Sequence, residues 1–310
     1  MRNEKFDFYS PLTLKSYNLE KTAKYQLDIL GGLDYLTKIH SENVANLTCR
    51  ICEYLHFNKR FTVYCTICAY LHDIGKLLIP ASILNKPDRL TDEEFEIMKT
   101  HTTKGYEMCM KDLKLRPYAL GPLYHHEALD GSGYPRGVKK IPMEAQIIRV
   151  ADEYDAIVSK RRYTTHVDIS DTLKVLMKDV GPDKKTVALD QLSQRSKVGK
   201  INKRVLRTLF KVVIDDIKYE IACLYDYVEY LKDNLKRLDL IRSYATKMNS
   251  AKSDKKKKYY EEGMRLLFQA DENFDNYLQV YEDYKNALDL RSDRIDKLRK
   301  EIQVIKKLDV

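Results

Sequence analysis

Five of the seven histidines in this chain, His40, His72, His101, His125 and His126, occur in a pattern that suits metal ions better than a protein core. Asp73 follows His72 directly, and Asp152 is embedded in an apolar run further along. Neutral imidazole together with carboxylate is a donor set for manganese, iron or zinc, and this many donors can hold more than one ion. A carboxylate has two oxygens, so Asp73 can bridge two ions. The chemistry such a cluster performs is metal-assisted hydrolysis, because divalent ions polarise a phosphoryl oxygen and lower the pKa of water.

The neighbours of these donors narrow the substrate. His72 to Lys76 read HDIGK, where Gly75 is expected to turn the chain so that Lys76 points at the same site. Lysine suits a phosphate oxygen as a point charge. His125 and His126 are adjacent, and adjacent side chains on a helix diverge by about 100°, so the pair belongs at a helix end. Asp130-Gly131-Ser132-Gly133-Tyr134-Pro135 then supplies a tight turn, backbone N–H groups and an aromatic face. Gly131 and Gly133 can take positive φ at little cost, and Tyr134 can contact a base or donate to a phosphate. Taken singly, His40 and His101 would read as ordinary helix histidines; the set gives them meaning.

Helices must position these groups. Gly/Pro punctuation falls at Gly31-Gly32, Pro80, Pro87, Pro117, Gly121-Pro122, Gly131 to Pro142 and Gly181-Pro182, and amphipathic runs fill the intervals. One run opens with Thr91 as N-cap and Glu94 three residues on, a capping box. It is predicted to carry Phe95, Met98 and Met108 toward a core, with His101 inside it. Met143 to Ser159 forms another, apolar at Ile147, Ile148, Val150 and Ala151, where Asp152 would be costly unless paired or bound to metal. The pairs Cys49/Cys52 and Cys65/Cys68 lie within helical patterns without turn residues, so buried free thiols are expected rather than a zinc site. His56 and His166 stand outside the motifs and read as surface or core-edge residues, and Asp179–Lys200 reads as a polar connection.

Beyond about residue 215 the spacing becomes that of a coiled coil: Ile221, Leu224, Val228, Leu231, Leu235, Leu238, then Leu267, Ala270, Phe274, Tyr277, Tyr281, Tyr284, Leu288, Ile295, Leu298, Ile302 and Ile305. Arg291 interrupts it. If continuous, the second segment would be roughly 80 Å long at 1.5 Å per residue. The first segment is too short to cover it, which favours a homodimer through these helices; the alternative is a fold-back near Ser292-Asp293. The expected organisation is a helical segment over 1–32, a metal-dependent domain over 33–215 and a helical hairpin or coiled-coil extension over 216–310.

Composition excludes several classes. The formal net charge is +9, and from Asp215 onward 20 Lys+Arg balance 20 Asp+Glu, so the surplus lies with the histidines, as an anionic substrate would favour. No basic stripe is interleaved with aromatics, so bulk nucleic acid is not the expected partner. No apolar run approaches the roughly 18 residues of a membrane span, and MRNEKFDFYSPL lacks the apolar centre of a secretion signal. A cytoplasmic location is expected.

The series HDIGK, HTTKG, HHEALDGSGYP and VADEYDAI, in that order, resembles the HD-GYP group of the HD phosphohydrolase superfamily over about residues 35–215, and VGKINKRVLRTLFKVV is similar to that group's closing helix. The resemblance implies an all-α helical bundle with a two- or three-ion iron or manganese centre that hydrolyses cyclic di-GMP. It assigns metal ligation to His40, His72, Asp73, His101, His125, His126 and Asp152, with Asp73 bridging. It assigns phosphate contact to Lys76 and substrate contact to Arg161, Asp130 and the Gly133, Tyr134 and Pro135 of the name motif. Leu36 stands where some members have a third-ion glutamate, so a binuclear centre is expected. Arg161-Arg162-Tyr163-Thr164 replaces the usual Arg-Pro-Tyr followed by a basic residue, and Gly137 to Ile141 is shorter than the usual loop. The expected reaction is in-line attack by a hydroxide bridging the two ions, giving pGpG first, with further cleavage to GMP left open. Two alternatives stay open: another cyclic dinucleotide or nucleotide as substrate, and a non-catalytic scaffold.

Overall fold

The computed structural model describes residues 35–162, 169–180 and 199–308, with 159–162 as backbone only. The expectations for residues 1–32, Tyr163, Thr164, His166 and most of Asp179–Lys200 lie outside the described residues, as do the side chains of Arg161 and Arg162. Among the described residues the architecture is all-α, with no strand. No helix among them is long and apolar enough to cross a membrane. The chain divides into two compact units between Val213 and Ile214.

In the first unit, α1 (Tyr35–Tyr54) buries Thr37, Ser41, Val44, Ala45, Thr48, Ile51 and Cys52, a stripe at three- and four-residue spacing. This face packs on α2 (Lys59–Leu71) and on α7 (Met143–Arg162). Asn58 caps α2, its side chain accepting from Phe61 N at 2.9 Å. Cys49, Cys52, Cys65 and Cys68 are buried free thiols in these two helices, as their surroundings predicted. A short 3₁₀ turn, Ile74–Leu78, follows α2, and a four-residue helix, α3 (Ala81–Leu84), leads toward the capping box.

The capping box is present: Thr91 Oγ1 accepts from Glu94 N, and Thr91 N donates to the Glu94 carboxylate. The single run predicted after it is two helices, α4 (Asp92–Lys99) and α5 (His101–Lys111), with a break at Thr100. Thr100 donates its hydroxyl and its backbone N–H to Ile97 O, which closes the first helix. The break rotates α4 away from the core: it buries no residue, and Phe95 is 46% exposed where burial was expected. The remaining elements are α6 (Leu120–Tyr124), the loop to α7, α8 (Ile169–Met177) and the start of α9 (Lys203–Ser250).

In the second unit, α9 continues to Ser250, followed by α10 (Asp254–Leu267) and α11 (Tyr277–Lys307). The expected continuous segment over 254–308 is thus broken at 268–276, and the chain runs straight through Ser292-Asp293. The break has a local cause: Asn273 Oδ1 accepts from the N–H groups of Asp275 and Asn276, and Asn276 Oδ1 accepts from Asn273 N. Tyr277 donates to Leu238 O at 3.0 Å, Arg294 pairs with Glu220 and Arg299 contacts Tyr225, so α11 runs antiparallel to α9. Arg291, the interruption in the pattern, lies over the Tyr227 ring at 5.3 Å. Met264 of α10 joins Leu238 and Ile241 in one core cluster. Within this chain, α9 is what α10 and α11 pack along.

Candidate metal centre

The end of α2 delivers the first donors. His72 is its C-cap residue, with Nδ1 2.6 Å from Ala69 O. A carbonyl can only accept, so Nδ1 carries the proton and, in the neutral ring, Nε2 offers a lone pair. His101 and His125 repeat the device, with Nδ1 2.7 Å from Met98 O and 2.8 Å from Pro122 O respectively. Three rings from three helices thus have their Nε2 atoms fixed inward by backbone carbonyls.

Asp73 stands between them, 2% exposed. Its Oδ2 lies 3.3 Å from His72 Nε2 and 3.8 Å from His40 Nε2. Its Oδ1 lies 3.5 Å from His101 Nε2 and 4.0 Å from His125 Nε2. Each oxygen therefore faces a different pair of imidazoles. Asp152, on α7, places Oδ1 3.0 Å from His40 Nε2 and 4.0 Å from His72 Nε2, and Oδ2 3.9 Å from His126 Nδ1. All seven sequence-predicted donors meet here, from α1, α2, the starts of α5 and α7's middle, and the turn after α6.

Glycine makes one of these approaches possible. A Cβ on Gly75 would overlap His101 O and Gly105 N, so only glycine lets α5 pass close enough to bring His101 to Asp73. Close approach, rather than the predicted turn, is the reason for Gly75; its φ is not positive. In the loop, Gly131 has φ +86° as expected, while Gly133 is needed because a Cβ would strike Ala128 N, Glu127 Cα and His126 O. Gly137, not Gly133, holds the second positive φ.

Charge and burial set the protonation. Burial alone would raise the Asp73 carboxyl, but the Lys76 ammonium at 2.6 Å and His72 outweigh it and hold it well below the usual carboxylate range. Asp152 is likewise opposed by burial and lowered by its bond to His40 and by His126 and His72. Burial pushes His101, His125 and His126 down, so these rings are neutral at physiological pH. His40 behaves oppositely: burial works against its charge, yet bonds to Asp152 and Asp155 lift it to about 10.

These donors fit divalent cations. His72 Nε2 is buried without a hydrogen-bond partner. His101 Nε2 and His125 Nε2 face each other at 3.2 Å, and with both protons committed to carbonyls two lone pairs point at each other. A cation held by both nitrogens would relieve that repulsion. Ligand atoms of His101, His125 and His126, of His40, His72 and Asp73, and of His72, His125 and Asp152 each lie within 4.8 Å of one another. Leu36, one turn before His40 on α1, offers no donor atom.

Sequence reasoning overlooked three supporting residues. Asp155 Oδ2 lies 2.7 Å from His40 Nδ1 and orients that ring. Its position three residues after Asp152, on the same helix face, was the available signal. Glu127, fully buried, accepts from Arg136 N at 2.7 Å and Val138 N at 3.0 Å, anchoring the loop. Arg149 donates to His126 O and Glu127 O at 2.9 and 3.0 Å, holding the turn that presents the histidine pair.

The predicted substrate contacts are distributed unevenly. Tyr134 stacks on His126 with ring centroids 4.7 Å apart, and Tyr134-Pro135 is a cis bond. Lys76 sits at the cluster. Asp130 spends its Oδ1 on Ser132 N and Oγ, so it shapes the turn. Arg161 has its backbone in the last turn of α7.

The profile of the HD domain family matches residues 20–184. A cyclic di-GMP phosphodiesterase of Thermotoga maritima is 43% identical over 187 residues, covering 53% of this chain and 51% of that protein. The cyclic di-GMP phosphodiesterase PdeB of Borreliella burgdorferi is 34% identical over 198 residues, 63% of this chain and 46% of that one. A 3′3′-cGAMP-specific phosphodiesterase of Vibrio cholerae is 34% identical over 139 residues, 44% and 30% respectively. The chain spans about half the length, or less, of these relatives.

Proposed function

Since the chain belongs to the HD domain family and carries the motif series of its HD-GYP group, we propose that it is a metal-dependent phosphodiesterase of cyclic dinucleotides, cyclic di-GMP foremost. The observation that carries this reading is Asp73, whose two oxygens each face a separate pair of imidazole nitrogens. That is the arrangement a carboxylate needs to bridge two cations. Divalent ions, iron or manganese, would be held by His40, His72, Asp73, His101, His125, His126 and Asp152, and when bound they supply Lewis-acid stabilisation and lower the pKa of water.

The chain's own residues do the rest. Lys76, 2.6 Å from Asp73, would offer its ammonium to a substrate phosphate oxygen beside the donor cluster. Tyr134 keeps its proton, because burial and the charges of Asp152 and Asp73 push its hydroxyl well above the usual phenol range, so it acts as a donor. Arg161 is assigned to the substrate's phosphate. The names of the relatives support cyclic di-GMP, and the cGAMP-specific one keeps a hybrid dinucleotide as a second candidate.

The test is anaerobic purification with elemental analysis, followed by hydrolysis of cyclic di-GMP, 3′3′-cGAMP and cyclic di-AMP. The expected result is about two ions per chain and release of pGpG from cyclic di-GMP. A chain that takes up no metal, or a metal-loaded chain that cleaves none of the three, refutes the reading.

A further inference from the structure

Outside the donor cluster, a file of rings leads from the metal centre to solvent. His126 stacks on Tyr134, and Phe95 of α4 meets the Tyr134 ring edge at 6.4 Å and 79°. Lys99, one helical turn after Phe95, holds its Nζ 5.4 Å from the Phe95 centroid and 5.7 Å from that of Tyr134. Nothing in the core requires Phe95 there. Helix α4 buries no residue; the capping box and the Lys86–Glu94 pair at 2.6 Å hold it. Phe95 keeps nearly half its surface open beside a cation and next to the residue that touches His126. Polar helix capping with a half-exposed aromatic ring is what a ligand platform looks like, since every nucleobase has a π-face and stacks on exposed rings.

We propose that Phe95, Lys99 and Tyr134 form a base-recognition shelf, with Phe95 stacking one base of the dinucleotide and Lys99 selecting guanine. The proposal rests on the cyclic-dinucleotide reading above. A base is joined to its phosphate through one sugar, so a base held at the outer ring of the file leaves its phosphate toward the donor cluster. Guanine presents two acceptors, O6 and N7, on one edge, whereas adenine replaces the first with an N–H₂ donor. An ammonium flanking the stacked ring can satisfy the guanine edge and is opposed by the adenine one. Lys99 is now paired with Glu96 at 2.5 Å on the exposed side of α4, a solvated contact that costs little to exchange.

The experiment measures equilibrium binding of cyclic di-GMP, cyclic di-AMP and inorganic phosphate to the manganese-loaded chain. Phe95→Ala is expected to weaken cyclic di-GMP roughly tenfold while metal content and phosphate affinity stay as they were, and Phe95→Tyr is expected to restore binding. Lys99→Met is expected to shrink the preference for cyclic di-GMP over cyclic di-AMP by roughly fivefold or more. Unchanged cyclic di-GMP affinity in Phe95→Ala overturns the shelf. An equal loss for both dinucleotides in Lys99→Met overturns guanine selection and makes Lys99 a phosphate contact. These are binding readouts, so a chain that binds through the shelf yet hydrolyses nothing refutes the enzymatic reading and leaves the shelf standing.

Discussion

Two buried polar clusters in this chain, one in each unit, treat their hydrogen-bonding capacity in opposite ways. In the second unit, Asn234 is buried on α9, yet its Nδ2 donates to Tyr230 O, and its Oδ1 accepts from Arg237 and Gln269. Arg237 in turn meets both oxygens of Glu272 at 2.5 and 2.7 Å and donates to Leu267 O. Apart from Arg237 Nε, which is buried without a partner, that cluster satisfies its polar atoms internally, and its role is to fix how α10 and α11 return along α9. The first unit leaves His72 Nε2 without a partner and sets His101 Nε2 against His125 Nε2. Burying polar atoms with open valences costs stability, and a fold that holds several of them within a few ångströms is built to receive something positive.

The sharpest way to break this contrast is Asp73→Ala. It removes the carboxylate that faces both imidazole pairs, so metal uptake should collapse and turnover fall by about 10³-fold or more, as loss of a principal charge-stabilising group does. Elemental analysis beside a cyclic di-GMP assay reads both. Full turnover in this variant would mean that the open valences serve nothing.

Asp155→Ala asks whether a residue outside the ligand set tunes it. Asp155 acts through His40 Nδ1 at 2.7 Å, so the loss should be a fall in metal affinity of about 10- to 100-fold rather than abolition. Asp155→Asn, which keeps an acceptor, should recover part of it. Competition with a coloured chelator measures the affinity directly, and an unchanged value would reduce Asp155 to a packing residue.

The two regions also differed in how far they could be read from sequence. HDIGK and HHEALDGSGYP name their own chemistry because unusual residues sit side by side, and all seven donors converge. Asp155 escaped because an aspartate at helical spacing is unremarkable until its partner, His40, arrives from α1. Phe95 was misplaced because amphipathic spacing runs smoothly through Thr100, and only side-chain bonding to Ile97 O reveals the break. The return helix failed similarly: Leu267, Ala270, Phe274 and Tyr277 keep their rhythm across a segment that the bonds of Asn273 and Asn276 fold into turns. Local polar chemistry overrides apolar periodicity in both places.

Glu272→Gln disrupts the Asn234–Arg237–Glu272 cluster. Arg237 would keep its bonds to Leu267 O and Asn234 but lose the charged pair, so the second unit should lose roughly 1–2 kcal/mol, less than a fully isolated buried charge would cost. Urea denaturation followed by circular dichroism reads the loss, and metal content should not change. A variant as stable as the original would show that this network sets geometry without stabilising it.

The smallest effect is expected at Gly263, inside α10. Alanine is favoured over glycine in a helix interior by about 1 kcal/mol. A Cβ at this position would lie 2.7 Å from Tyr244 Cε2, the outer part of a flexible side chain rather than backbone. Tyr244 is only partly buried, with Tyr260 at 5.8 Å and Lys247 at 5.9 Å as neighbours, so its ring can move. Displacing it costs about 0.5–1.5 kcal/mol, which nearly cancels the gain. Gly263→Ala should therefore change stability by no more than about 0.5 kcal/mol. A loss well above 1 kcal/mol would show that the seam around Tyr244 is packed as tightly as the Gly75 contact, where the obstructing atoms are backbone and cannot yield.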